Sequence, residues 1–181
     1  MTMKKTTVIN LFAGPGAGKS TGATYIFSKL KMAGIDAEYI SEFAKDKVWE
    51  ENDLVFKNQF YITGKQAWKI ARCNGKVDVA ITDSPILLGA MYCEDNPELI
   101  PAIKYEFKKY NNINFFIERV KEYNPNGRNQ TLDEAKMIDR ETIKFLDSCG
   151  ETYAIIDGTQ DGYDKAINLI LKMLKSTKET V

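Results

Sequence analysis

The stretch that most constrains this chain is residues 6–20, where a β-branched and nearly unbroken apolar run, Thr6–Phe12, feeds a glycine-rich turn and then a helix-forming segment. Such a run reads as a strand buried on both faces, the kind found in parallel sheets covered by helices. The turn is Ala13-Gly14-Pro15-Gly16-Ala17-Gly18-Lys19-Ser20, the P-loop spacing with alanine at the first glycine position. Each residue type has a chemical reason. Glycines let backbone N–H groups curl around a β-phosphate, and the N-terminus of the following helix adds its positive dipole. Lys19 is placed to reach β- and γ-phosphate oxygens, and the Ser20 hydroxyl to ligate magnesium. Gly14, Pro15, Gly16, Ala17, Gly18, Lys19, Ser20 and Thr21 are therefore the expected contacts of a nucleoside triphosphate, ATP with Mg2+. An incidental Gly-Lys-Ser in a strand-to-helix turn would look the same in isolation, but the flanking strand and helix supply the context a phosphate loop needs.

The rest of the chain alternates in the same way. Lys19–Ala33 reads as a helix closed by Gly34, Ala37–Ile40 as a second strand, Asp53–Arg72 as one long helix, and Val77–Thr82 as a third strand stopped by Pro85. Asn96-Pro97 is expected to open a helix, as cap and first helical residue, with Leu99, Ile103 and Phe107 on one face. Ile113–Ile117 is a fourth strand. Thr131-Leu132-Asp133-Glu134 is a capping box that starts a helix ending near Ser148, and Tyr153–Ile156 is the last strand. A C-terminal helix then carries Ile167, Ile170, Leu171 and Leu174 on one face. This order predicts one α/β domain over residues 1–181, a parallel sheet with helices on both faces and ligand sites at the carboxyl ends of its strands.

Composition narrows the chemistry. Lys and Arg number 25, as do Asp and Glu, so nothing global draws the chain to nucleic acid or anionic lipid. The absence of histidine leaves proton transfer to carboxylates, Lys, Tyr or water. Cys73, Cys93 and Cys149 are scattered and odd in number, which fits free thiols in a reducing compartment better than disulfides or zinc. The N-terminus runs straight into the first strand, and no apolar run approaches the roughly 20 residues that span a bilayer. The expectation is a cytoplasmic protein with no membrane partner.

Several side chains fall at the predicted ligand edge. Asp83 ends the third strand, where a P-loop protein holds magnesium through an acidic residue; otherwise it only stops the strand. Glu42, after the second strand, can orient or deprotonate an acceptor hydroxyl, or simply favour a helix dipole from the first turn. Arg119 and Arg128 flank and occupy a polar loop after the fourth strand, where mobile arginines could close over a transferring phosphate. Arg140 is a weaker candidate of the same kind, with ordinary surface charge as the alternative. Gln59 and Gln66, read as sharing a helix face with Phe56 and Phe60, could read a base, though core and rim roles are commoner for such residues. Asp157-Gly158-Thr159 could border an adenine through its backbone. Lys104, Tyr105, Lys108, Lys109 and Tyr110 form a basic and aromatic cluster that could track a nucleic-acid backbone, or only solvate a helix.

Together FAGPGAGKST, SEFAK, the ITDSP strand end and RVKEYNPNGRNQTLDEAKMID resemble small P-loop kinases common in bacteriophages, akin to thymidylate-kinase-like and ribosylnicotinamide-kinase-like enzymes. The likeness runs from Val8 to about Asp157. It implies a P-loop NTPase three-layer sandwich with a five-stranded parallel sheet in the order 2-3-1-4-5, a lid over about residues 119–131, and ATP with Mg2+ as donor. From the residues themselves, Lys19, Asp83, Glu42, Arg119 and Arg128 are the expected catalytic residues, with Ser20 and Asp83 at the metal and Asp157 beside the nucleotide. The group acts on nucleosides and nucleotides, and includes enzymes that phosphorylate 5-hydroxymethyluracil within DNA during base hypermodification. Many of its members carry Asp-Arg after the third strand; here the pair is Asp83-Ser84 and that arginine is missing. The expected activity is phosphoryl transfer to a nucleoside, a nucleotide or a modified base, with a host-cell cytoplasmic location for a phage-encoded chain. The competing expectation is a regulatory P-loop ATPase. No NKxD or ABC signature supports it, and the chain looks too short for a full AAA module.

Overall fold

The computed structural model describes residues 5–124, 126 and 130–179, with the backbone alone for 53 and 177–179. Five parallel strands form one sheet: β1 (Thr7–Phe12), β2 (Ala37–Ile40), β3 (Val79–Thr82), β4 (Asn111–Glu118) and β5 (Ala154–Asp157). Their order is β2-β3-β1-β4-β5. Every residue of β1 is buried, as the unbroken apolar run predicts for the middle strand of a covered parallel sheet. Val8 pairs with Ala80 of β3 and Asn112 of β4, so the P-loop leaves the sheet at its centre, between two strands that end at the same edge.

Among the described residues there are six α-helices: α1 (Lys19–Met32), α2 (Phe43–Trp49), α3 (Gln59–Ala71), α4 (Leu99–Lys108), α5 (Leu132–Ser148) and α6 (Gln160–Glu179). Helices α1 and α6 pack together on one face, while α3, α4 and α5 gather around a 3-10 segment, Ile86–Tyr92, on the other. This is the three-layer P-loop sandwich expected from the sequence. Gly34, at φ 79°, ends α1 as its position forecast: its N–H donates to Lys31 O and that of Ile35 to Leu30 O. The capping box at Thr131 and Glu134 is also present. The three cysteines are free, and Cys73 and Cys93 are buried. Among the described residues no helix is long and apolar enough to cross a membrane.

Two expected helices are drawn differently. The long helix over Asp53–Arg72 is instead a 3-10 segment, Asp53–Lys57, followed by α3. Asn58 divides them because its side-chain oxygen accepts the Tyr61 N–H, a cap that starts a new helix rather than continuing the old one. Upstream, Phe43–Trp49 forms α2, which the strand-helix reading did not separate out. The helix expected to open at Asn96-Pro97 begins at Leu99. Asn96 O and Pro97 O accept the N–H groups of Leu99 and Ile100 in three-residue turns, so Pro97 lies in the approach. Pro101 is tolerated in the first turn of α4, where no intrahelical partner awaits an N–H.

Candidate active site

The loop between β1 and α1 is shaped by left-handed backbone at Gly16 (φ 77°) and Gly18 (φ 110°), the latter capping α1 without any side-chain help. Lys19 Nζ donates to Ala13 O at 2.8 Å and Gly14 O at 2.9 Å, folding the side chain back across the loop. Desolvation pulls Lys19 below the usual ammonium range. The carboxylates of Glu42, Asp83 and Asp139 act against that shift, and Arg119 adds to it. Four charged groups from the ends of β2, β3 and β4 and from α5 thus act on one lysine, which the topology accounts for: those strand ends share one edge.

Asp83 directly follows β3 and is 2% exposed. Tyr39 of β2 donates its hydroxyl to Asp83 Oδ2 at 3.0 Å, while Oδ1 is buried with no partner among the described residues. An uncompensated buried carboxylate oxygen is costly unless something else binds it. The donor set fits magnesium, which keeps several waters and takes only one or two protein oxygens: here Ser20, partly exposed at the start of α1, and Asp83. Among the described residues there is no cluster of three or more acidic or thiol side chains that would hold a metal alone.

Glu42 stands at the cap of α2 but its side chain makes no capping bond. Desolvation pushes it above the usual carboxylate range, with Lys19 opposing and Asp83 reinforcing the rise. Tyr92 of the 3-10 segment lies in the field of Glu42 and Glu141, a neighbour the sequence did not single out.

Arg119, immediately after β4, is almost wholly enclosed. Its Nε donates to Asp139 Oδ2 at 2.9 Å, its guanidinium sits 5.8 Å from the centre of the Tyr123 ring, and Nη1 and Nη2 are buried with no partner among the described residues. A Cβ built on Gly16 would meet Arg119 Nη1 at 3.3 Å and the Tyr123 ring at 2.9 Å, so both side chains overlie the loop. Tyr123 is tied back by its hydroxyl to Gln130 O. Arg128 lies outside the described residues. Arg140 is exposed and lines, with Arg119, Lys136 and Asp139, an open cleft of about 280 Å3.

The remaining nucleotide candidates are dispersed around the loop. Pro15 is half-buried, Ala17 fully buried and Thr21 exposed. Asp157 is half-buried at the end of β5, and the following Gly158 N–H donates to Glu118 O at 3.0 Å. Gly158 also passes so close to the loop that a Cβ there would lie 2.6 Å from Ala17 O.

Three groups with alternatives left open by the sequence take packing roles. Gln66 is buried and spent: Oε1 accepts the Phe43 N–H at 3.1 Å and Nε2 donates to Thr82 Oγ1 at 3.3 Å. It clamps the residue after Glu42 to the residue before Asp83. Gln59 donates to Thr63 and to Gly89 O, and Phe56 is not on the same helix. The basic cluster also divides: Tyr110 is buried, Lys109 pairs with Glu106 and stacks on Tyr105, and Lys104 sits over Phe145. Because α4 leads into the start of β4, the cluster's C-terminal members lie toward the sheet edge opposite the loop.

Two contributors were not singled out from the sequence. Tyr163 of α6 donates its hydroxyl to Gly18 O at 3.0 Å, and a Cβ on Gly22 would strike its ring at 2.6 Å. Asp139 Oδ1 accepts the Gly14 N–H at 2.6 Å. Gly-x-x-x-Gly spacing across the loop and α1 is a weak hint of the first; nothing local announces the second.

Comparison with known proteins agrees with the geometry at the level of fold. A solved deoxyadenosine kinase from M. mycoides, with the products dCMP and a flexible dCDP bound, is 17% identical and superimposes with a TM-score of 0.57 over 93% of this chain and 99% of that one. A second structure, titled APE1195, is 19% identical over 96% of each chain with a TM-score of 0.48, too low to carry an argument. No curated protein matches the sequence. A family model described as AAA domain matches residues 8–161. That match runs from β1 to just past β5 and contains the loop and its surrounding charges, and the chain belongs to this AAA-domain family.

Proposed function

We propose that the protein is an ATP-dependent kinase that transfers the γ-phosphate to a hydroxyl or phosphate of a nucleoside, a nucleotide or a modified base. The observation that carries this reading is the convergence of Lys19, Glu42 and Asp83 on one sheet edge, beneath a buried Arg119 whose outer nitrogens have no partner among the described residues. A loop that only held nucleotide has no need of a desolvated carboxylate beside Lys19. A kinase does, because the acceptor must lose a proton as it attacks. The deoxyadenosine kinase likeness supports the nucleoside or nucleotide class of acceptor.

In this reading the loop amides, Lys19 and Thr21 hold the triphosphate, with the Asp157 backbone beside the base. Ser20 and Asp83 would hold Mg2+, which neutralises phosphate charge when bound. An acceptor oxygen attacks the γ-phosphorus, the bond from that phosphorus to the β–γ bridging oxygen breaks, and ADP leaves with its electron pair. Where the acceptor is a hydroxyl, its proton passes to Glu42, which burial holds above the usual carboxylate range and so makes a stronger base than an exposed glutamate. Arg119, joined by Arg128 from the lid, stabilises charge on the transferring group.

The test is incubation with γ-labelled ATP and a panel of nucleosides, nucleotides and DNA containing 5-hydroxymethyluracil. A labelled acceptor identifies the substrate class, and the DNA arm separates a hypermodification kinase from a free-nucleotide enzyme. ATP bound but label passing only to water across the whole panel would instead favour the second reading, a regulatory ATPase, which the AAA-domain family match supports.

A further inference from the structure

Asp139 and Arg119 lie 20 residues apart in sequence, yet they close a three-part contact over the phosphate loop. One carboxylate oxygen of Asp139 takes the Gly14 N–H at 2.6 Å and the other takes Arg119 Nε at 2.9 Å. Helix α5 rests directly on the loop here. A Cβ on Gly14 would lie 2.5 Å from Ala135 O and 2.8 Å from Asp139 Oδ1. The glycine at position 14 is therefore required by the approach of α5, quite apart from any phosphate.

The pair is enclosed, with side-chain exposures of 8% for Arg119 and 15% for Asp139. An arginine and a carboxylate that served only to hold the fold together would gain most from a two-pronged contact through both donors of the fork. Here Asp139 gives one oxygen to the loop and leaves Arg119 with a single bond at Nε. Nη1 and Nη2 stay buried without a partner among the described residues, and Nη1 is turned toward Gly16. Unpaired buried donors are unfavourable in the free protein and become favourable when an anion meets them.

We propose that Asp139 is the positioning residue of the site: its carboxylate fastens Arg119 by Nε, anchors that grip to the Gly14 amide, and so fixes the outer nitrogens where the transferring phosphate forms. This rests on the phosphoryl-transfer reading above. Within the Asp139-Arg140 pair it assigns the role to the acid.

Asp139→Asn is the informative variant. The amide oxygen can still accept the Gly14 N–H, but the nitrogen facing Arg119 is a donor set against a donor. ATP affinity is measured by equilibrium titration with Mg2+, turnover by ATP consumption with the acceptor found above or with water, and folding by thermal melting. Asp139→Asn is expected to lower kcat by about 10²-fold, as Arg119→Ala does, with ATP affinity within about threefold of wild type. Because the two residues act as one unit, Asp139→Asn in an Arg119→Ala background is expected to add nothing. Multiplying effects in the double variant, or an unchanged kcat for Asp139→Asn, would overturn the proposal. If Asp139→Asn does not fold, Arg119→Lys carries the same test: an ammonium lacks the planar fork that lets one nitrogen grip Asp139 while the outer two are held toward the phosphate, so full kcat in that variant would also overturn it. A wild-type chain that binds no ATP would remove the functional reading and this inference together. A wild type that turns ATP over beside an equally active Asp139→Asn would remove only the inference.

Discussion

Residues 13–22 and residues 42–58 flank the same sheet edge but are secured in different ways. The first stretch is braced on three sides: Asp139 from α5 takes the Gly14 amide, Gly158 runs against Ala17, and Tyr163 from α6 fills the space left by Gly18 and Gly22. The second stretch has no buried residue in α2, and Trp49 and Leu54 are exposed. Its main tie to the rest of the edge is the amide of Gln66. The contrast fits what each would bind under the proposed phosphoryl transfer. A triphosphate is recognised by backbone groups, which must be held to within fractions of an ångström. An acceptor is recognised by side chains on elements free to close around it.

The sharpest way to break this contrast is at Lys19. Lys19→Ala is expected to reduce transfer by about 10³-fold or more while the melting temperature stays near wild type, since the lysine is desolvated at its own site's expense. Retained transfer would mean that the braced loop is not the donor site. Next is Glu42, on the looser side. Its raised pKa means that the basic form is lost as pH falls through a value above the usual glutamate range, so kcat should decline on the acid side there. Glu42→Gln is expected to lower kcat about 10²-fold and to abolish that acid limb; a limb that persists assigns the base elsewhere. The same shift has the opposite sense for stability. The contribution of protonated Glu42 is complete below its unfolded pKa and is lost as pH rises through the folded one.

Two smaller effects compare the braces themselves. Gly22→Ala drives a methyl group into the Tyr163 ring and is expected to destabilise the fold by about 1–3 kcal/mol, a penalty that should largely vanish in a Tyr163→Ala background. Gln66→Leu leaves the Phe43 N–H without its acceptor and is expected to lower stability by about 1–3 kcal/mol and to raise KM for the acceptor more than for ATP. Equal changes in both KM values would show that the clamp serves the whole edge. The least effect is expected at Lys108 and Lys109, away from the loop edge, where alanine should leave transfer to a free acceptor unchanged.

Much of the loop side was legible from local pattern. An apolar run, a Gly-Lys-Ser turn and a capping box are each statements about neighbours in sequence, and β1, α1 and the start of α5 appear where those statements put them. Asn58 was misread because a cap and a helical residue look alike when apolar spacing continues past them. The two glutamines stayed open between ligand and packing roles because nothing in their spacing tells whether an amide faces a ligand or the backbone of another segment.

Taken by itself, the sequence determined the strand order's raw material, the phosphate-loop geometry and the identity of the charges at the sheet edge, because these depend on backbone conformation and on contacts within a few residues. Only the tertiary structure decided how those charges are used. Asp139 reaches Gly14 across 125 positions and Tyr163 reaches Gly18 across 145. Side chains that far apart meet only when packed layers bring them together, and a glycine can be kept for a helix laid against it as readily as for a phosphate.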